Sequence, residues 1–241
     1  MSSELVPSER APGLLVAAGS EIPGDASLAP YVTIHPGVEL GAGVTLEQGA
    51  IVGRPQHIDA GSRSPRRQAG EPTVIGDGCR VGSGTVVVAG ARVGAGSYLG
   101  DLVLLRETAT LEDGVMIGRG STVSHNTVVG SHTRVQNDVL VGPWTRIEEA
   151  VLVSPRVTFV GDPTMGRRAS GAPSGGIRVG RASRIGTGAI VFPPAEVGEE
   201  AVIGAASMVR DDVPARTVVV GAPARVLRPV RDDELREEWH G

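Results

Sequence analysis

The chain contains no lysine, and all 23 of its basic residues are arginine. Mechanisms that need a lysine nucleophile or Schiff base are therefore excluded. Its one cysteine, Cys79, allows no internal disulfide and no cysteine-rich metal knuckle. Aromatic residues are scarce as well: two Phe, two Trp and two Tyr in 241 residues, which rules out an ordinary globular core built on large rings. No apolar run approaches the ~18 residues of a membrane helix. The short run Leu14 to Ala18 follows Glu4, Glu9 and Arg10 and lacks the order and length of a signal peptide, so a cytoplasmic protein is expected. A net charge of −4 argues against a basic surface for nucleic acid.

What is abundant is glycine, 35 residues, with 17 prolines, in a chain that is nevertheless 40% hydrophobic. That apolar content is spread evenly, which argues against disorder. It recurs with a period of six. From Ile75 an aliphatic residue falls at every sixth position through Val153, and the series ends in Phe159, giving 14 hexads without a slip. Four residues after each start stands a small or β-branched residue, such as Cys79, Thr85, Ala91 or Ser97, and the second hexad position is often glycine. A helix needs apolar spacing near 3.6 and a strand spacing near 2. A strict six fits short strands joined by corners, three hexads to a triangular coil, with coils stacking as parallel strands ~4.8 Å apart.

The same register runs earlier, at Ile22, Leu28, Ile34, Leu40, Leu46 and Val52, and later, from Val179 to Val209. About 26 hexads predict eight to nine coils and roughly 40 Å of prism. Two stretches leave the register, Val52 to Ile75 and Phe159 to Val179, and are predicted to be loops outside the prism, where binding residues are usually placed. The expected organisation is an N-terminal segment over 1–21, a repeat domain over 22–214 with loops near 53–74 and 160–178, and a tail over 215–241. Leu235 and Trp239, four apart, predict a short C-terminal capping helix in that tail.

The repeat, over roughly residues 22 to 228, resembles the hexapeptide-repeat acyltransferases, closest to amino-sugar N-acetyltransferases. The resemblance implies an all-β left-handed parallel β-helix, a hexapeptide-repeat solenoid with two external loops and a short C-terminal helix. It also implies acetyl-CoA as acyl donor and a homotrimer. "MVRDDVPARTVVVGAPARVLR", residues 208–228, is similar to the family's C-terminal coil beside coenzyme A, which makes Arg210 and Arg225 candidates for its phosphates, or else solvated corner residues. "FVGDPTMGRR", residues 159–168, resembles the loop of the branch that acetylates amino sugars on nucleotide carriers, with Gly161 where that branch has Asn. Asp162 is then the surviving polar group, and Gly161 and Arg167 line the acceptor. "LLRETATLEDG", residues 104–114, is similar to that branch and favours Arg106 and Glu107 as site residues.

Acyl transfer calls for a base near neutrality, and histidine is the first residue to examine. His125 in "STVSHNTVVG" stands third in its hexad, at an expected outward corner, and the segment resembles the one that carries the family's base before an acidic residue. Here Asn126 follows. One coil of 18 residues links Glu107, His125, Pro143 and Gly161 into one column, and Asn126, Trp144 and Asp162 into the next. Glu107 is expected to orient His125 and raise its pKa. His132 is expected at a solvated corner. No third ligand joins the two histidines, so no metal is expected. Arg63, Arg66 and Arg67 in the first loop would hold a phosphorylated acceptor or simply solubilise the loop. The glycines of "GDGCRVGSG", residues 76–84, fall on the hexad lattice and signal no dinucleotide site.

The expected function is a coenzyme A-dependent N-acyltransferase, with acetyl as the acyl group and an amino group of a sugar nucleotide or aminated natural-product sugar as acceptor. The catalytic set is His125, Glu107 and Asp162, and Arg106, Asn126, Gly161 and Arg167 hold the substrate. The alternatives are an O-acetyltransferase of the same fold and a non-catalytic assembly subunit.

Overall fold

The computed structural model describes residues 4–56, 71–167 and 176–235. Short strands, most of two residues, wind into a three-sided prism. Face 1 holds 11 strands, from Leu5–Pro7 and Leu15–Ala17 to Met208–Val209. Face 2 holds eight, from Val38–Leu40 to Glu196–Val197, and face 3 holds 11, from Ser27–Leu28 to Ala224–Pro229. The chain visits the faces in that order, so each coil has a first edge between faces 1 and 2, a second between faces 2 and 3, and a third that returns to face 1.

The hexad produces this shape directly. In each two-residue strand the second residue points inward, so Leu105, Val123, Val141 and Phe159 are stacked in register on face 1 and almost fully buried. Each such side chain stabilises the coil by about 1.5–3 kcal/mol relative to exposure. The small residue at the far side of the corner fills the remaining volume, and where it is Ser or Thr its hydroxyl joins the coils. Thr85 Oγ1 donates to the Gly100 carbonyl at 2.6 Å and accepts from the Val103 N–H at 3.0 Å. A buried hydroxyl paired twice avoids the penalty of an unsatisfied polar group.

At the second and third edges glycine usually opens the corner. A Cβ on Gly94 would come within 2.5 Å of the Glu112 carbonyl carbon in the next coil, so the backbones there are closer than any side chain permits.

The lattice begins earlier than residue 22. Leu15–Ala17 pairs in parallel with Thr33–Ile34, with Val16 opposite Ile34, and Leu5–Pro7 adds an antiparallel strand outside it. Ile22 lies in no strand and packs half-buried against the core just before Pro23. The solenoid therefore has about ten turns rather than eight to nine. At the other end the hairpin Thr217–Gly221 with Ala224–Pro229 extends face 3. The expected capping helix is reduced to a single 3-10 turn at Asp232–Glu234, because Leu235 is already extended at φ −69°, ψ 146°. Trp239 lies outside the described residues. Among the described residues no helix is long and apolar enough to cross a membrane.

Both loops leave from the first edge. One departs after Ile51–Arg54 on face 1 and returns at Thr73–Ile75 on face 2, and the other departs after Thr158–Phe159 and returns at Arg178–Val179. The interiors of both, 57–70 with Arg63, Arg66 and Arg67, and 168–175, lie outside the described residues.

Candidate active site

The register places Glu107, His125, Pro143 and Gly161 in one column on the first edge, as the spacing implied. Thr108, Asn126, Trp144 and Asp162 form the neighbouring column, and the two loop departures lie below and above His125 on that same edge. The expected outward corner is in fact buried: His125 is 6% exposed and Glu107 2%. The imidazole is enclosed by its neighbours, meeting Trp144 edge-on with ring centroids 6.1 Å apart and planes at 81°.

Glu107 does not reach across to His125. Its carboxylate is taken side-on by Arg106, with Nη2 to Oε1 at 2.5 Å and Nε to Oε2 at 3.1 Å, a bidentate pair whose carboxylate side chain is 3% exposed. The consequence for His125 runs opposite to the expected rise. Burial lowers its pKa, the Arg106 guanidinium lowers it further, and Glu107 offsets only part of this. His125 is thus held neutral at pH 7, the state in which an imidazole can accept a proton.

The Asn126 carboxamide lies 3.4 Å from His125 Nδ1 on one side, and its other terminal atom lies 2.9 Å from Thr108 Oγ1. The Thr108 hydroxyl already sits 2.6 Å from the Glu107 carbonyl and accepts from the Asn126 N–H at 3.2 Å. Amide orientation is assigned from the network. Asn126 thus faces the Nδ1 side of the imidazole, with Nδ2 toward that nitrogen and Oδ1 toward the Thr108 hydroxyl, and takes the orienting position expected of Glu107.

The remaining candidates separate. Asp162 braces the start of the second loop: its carboxylate accepts from the Thr164 N–H at 2.8 Å, the Thr164 hydroxyl at 2.6 Å and the Gly166 N–H at 2.8 Å. In this geometry it acts on the loop rather than on a reacting atom. Gly161 sits over the Pro143 ring, where an added Cβ would meet Cδ at 2.6 Å, so bulk is barred at this height. Arg167 is exposed at the limit of the described loop. Arg210 lies on the first edge, four strand spacings or ~19 Å above the coil of His125, with its guanidinium 5.5 Å from the Phe192 ring centroid. Arg225 does not join it, because it lies in the hairpin that extends face 3. His132 is exposed on the second edge. Among the described residues no three His, Cys, Asp or Glu side chains gather as a metal site. Cys79 is buried, and that burial pushes its thiol pKa up.

Sequence reasoning placed Trp144 in the neighbouring column but missed its edge-on contact with His125. One signal was present: the glycine that opens most corners on the other two edges gives way on the first edge to Arg106, Ser124, Val160, Phe192 and Arg210, with Gly53 and Gly142 as the exceptions.

A family model described as the hexapeptide repeat of succinyl-transferase matches residues 72–101 and 176–209. Over these two stretches the chain is similar to hexapeptide-repeat proteins. Among its relatives, the galactoside O-acetyltransferase of Lactococcus lactis is 39% identical over 57 residues, 24% of this chain and 28% of that enzyme. The 2,3,4,5-tetrahydropyridine-2,6-dicarboxylate N-acetyltransferase of Enterococcus faecalis is 46% identical over 48 residues, 20% of this chain and 21% of that enzyme. The matched stretches thus span about a quarter of the length of these curated relatives. The crystal structure of the UDP-N-acetylglucosamine acyltransferase LpxA from Bacteroides fragilis superposes with a TM-score of 0.63 at 15% identity, covering 86% of this chain and 74% of that one. This likeness establishes the shared fold, the left-handed β-helix.

Proposed function

We propose that this hexapeptide-repeat protein is a coenzyme A-dependent acyltransferase, with acetyl-CoA as donor and the amino group of a sugar, free or nucleotide-linked, as acceptor. The observation that carries the reading is a His125 held neutral by its burial and by Arg106 and faced at Nδ1 by Asn126, on the edge from which both loops depart. The acceptor amine attacks the thioester carbonyl while His125 takes its proton. The tetrahedral intermediate then expels coenzyme A as the carbon–sulfur bond breaks. Backbone amides steady the oxyanion, and Pro143, one coil above His125, has no N–H to offer.

Arg210 is the phosphate-binding candidate that remains on the first edge, and the straight run between it and His125 suits an extended donor. Face 1 supports a homotrimer. Its outward row includes Ile51, Val86, Leu104, Leu140, Ile190 and Met208 and carries no charge, whereas face 2 presents Arg92, Arg146, Arg178 and Glu196. Packing through face 1 would set a second copy beside the first edge, and no membrane or nucleic-acid partner enters the reading.

Mass spectrometry of reactions with acetyl-CoA and a panel of amino sugars and their nucleotides tests the proposal. A mass gain of one acetyl group that survives mild base supports N-acylation. A base-labile product points to the O-acylation reading favoured by the lactococcal relative. No product, together with no rise in Tm on adding coenzyme A, would leave a scaffold protein.

A further inference from the structure

One large aromatic side chain near His125 has no role in the chemistry above. Trp144 is 46% exposed in a chain with very few rings, and its backbone is left-handed, at φ 63°. That conformation is uncommon for a bulky residue. The corner imposes it: Thr108 and Asn126, at the same place one and two coils below, have φ 56°. Asparagine suits such a position and tryptophan does not. The indole is nevertheless held where it faces solvent and meets the imidazole edge-on.

The second loop fixes it there. The chain leaves the lattice at Asp162 and rejoins it at Gly176, and both positions lie over Trp144. Gly176 approaches so closely that an added Cβ would overlap the Trp144 carbonyl oxygen and come within 3.0 Å of the Trp144 Cβ. Only glycine fits that approach, so the returning strand of the loop pins the base of the indole. The lattice is broken beside it: Thr145 Oγ1 is fully buried with no hydrogen-bond partner among the described residues. In regular coils this hydroxyl donates to the carbonyl 15 residues on, as Thr127 does to Gly142, and for Thr145 that place is Val160, at the loop's departure.

We propose that the indole of Trp144 is the platform for the acceptor's ring: a pyranose lays its C–H face on it, with the reacting substituent directed at His125. A flat, rigid, partly wet ring beside a neutral base is the surface that binds a sugar ring at little entropic cost. The choice of acceptor then rests on Trp144, and the second loop serves by fixing that residue. This inference rests on the acyltransfer reading for its kinetic arm only.

The test uses Trp144→Asn, which installs the residue that the column already holds at 126, so the fold is retained; Trp144→Phe is the conservative companion. Glucosamine and UDP-glucosamine serve as ring acceptors and 2-aminoethanol as the acceptor without a ring. Trp144→Asn should raise KM for the ring acceptors at least tenfold. Its kcat/KM for 2-aminoethanol and its coenzyme A affinity should stay within twofold, and Trp144→Phe should recover most of the loss. In a Trp239→Phe background, which leaves Trp144 as the sole indole, either ring acceptor should change the emission saturably. Equal losses on ring and open-chain amines, a fall in coenzyme A affinity, or unchanged emission with both sugars would each overturn the proposal. If the wild type acetylates no amine, the acyltransfer reading fails, and the emission titration alone decides whether the indole takes a ring.

Discussion

The first and second edges of the prism are built from the same hexad, yet they differ in almost every property that matters for chemistry. His125 on the first edge is buried, oriented by Asn126 and lowered in pKa, whereas His132, seven residues later on the second, stands in solvent over Gly114. Arg106 and Glu107 pair with the carboxylate side chain 3% exposed; on the second edge Arg181 and Glu199 pair at the same 2.5 Å with the carboxylate 45% exposed. Corners at the second edge mostly open with glycine, and those at the first mostly carry side chains. A repeat therefore fixes where the backbone goes while leaving each edge free to bury or expose what it bears.

The largest contrast should be in turnover. His125→Ala is expected to lower kcat by ~10²-fold or more, the usual worth of a positioned base, and His132→Ala to leave it within about twofold. Steady-state acetyl transfer measures both, and equal effects would erase the distinction between the edges. Next comes stability. Arg106→Gln leaves a buried carboxylate unpaired and should cost about 3 kcal/mol, while Arg181→Gln should cost no more than about 1 kcal/mol, as solvent screens that pair. Urea denaturation of the two variants makes the comparison.

The pH profile sharpens it further. The base works when neutral, so the acidic limb of kcat/KM follows the pKa of His125. Removing the Arg106 charge should raise that pKa and move the limb to higher pH. Glu107→Gln removes the partial offset and should move the limb to lower pH. A shift of the same sign in both variants would show that the two charges do not set this pKa. Glycine offers a smaller contrast. Gly94→Ala on the second edge forces a Cβ into the next coil and should cost about 1–3 kcal/mol, whereas Ser124→Ala at the equivalent place on the first edge should be close to neutral. The smallest effect is expected beside the second loop. Thr145→Val removes a buried hydroxyl without a partner among the described residues, and thermal unfolding should show a gain of about 1 kcal/mol.

The strand positions were legible because the inward residue of each hexad must be apolar at every turn, and a single polar residue there would be costly. The column of Glu107 and His125 was legible for a related reason: once the coil length is known, residues 18 apart must stack. The first coil was harder to see, since Leu15–Ala17 has no face-2 strand after it and so shows no complete set of three hexads. The tail was misjudged because one pair of apolar residues four apart is weak support for a helix, and the chain turns extended at Leu235.

The sequence by itself determined the solenoid, its period, the edge that carries the loops and the stacking of His125 over Glu107, because all of these follow from a periodic backbone whose core must stay apolar. Only the tertiary structure decided that Glu107 serves Arg106, that Asn126 faces His125, that burial and a neighbouring guanidinium lower the pKa of that histidine, and that Trp144 stands beneath the second loop. Those outcomes depend on side-chain directions and on how much water each corner keeps, and a corner's exposure is set by what the neighbouring coils and loops place over it.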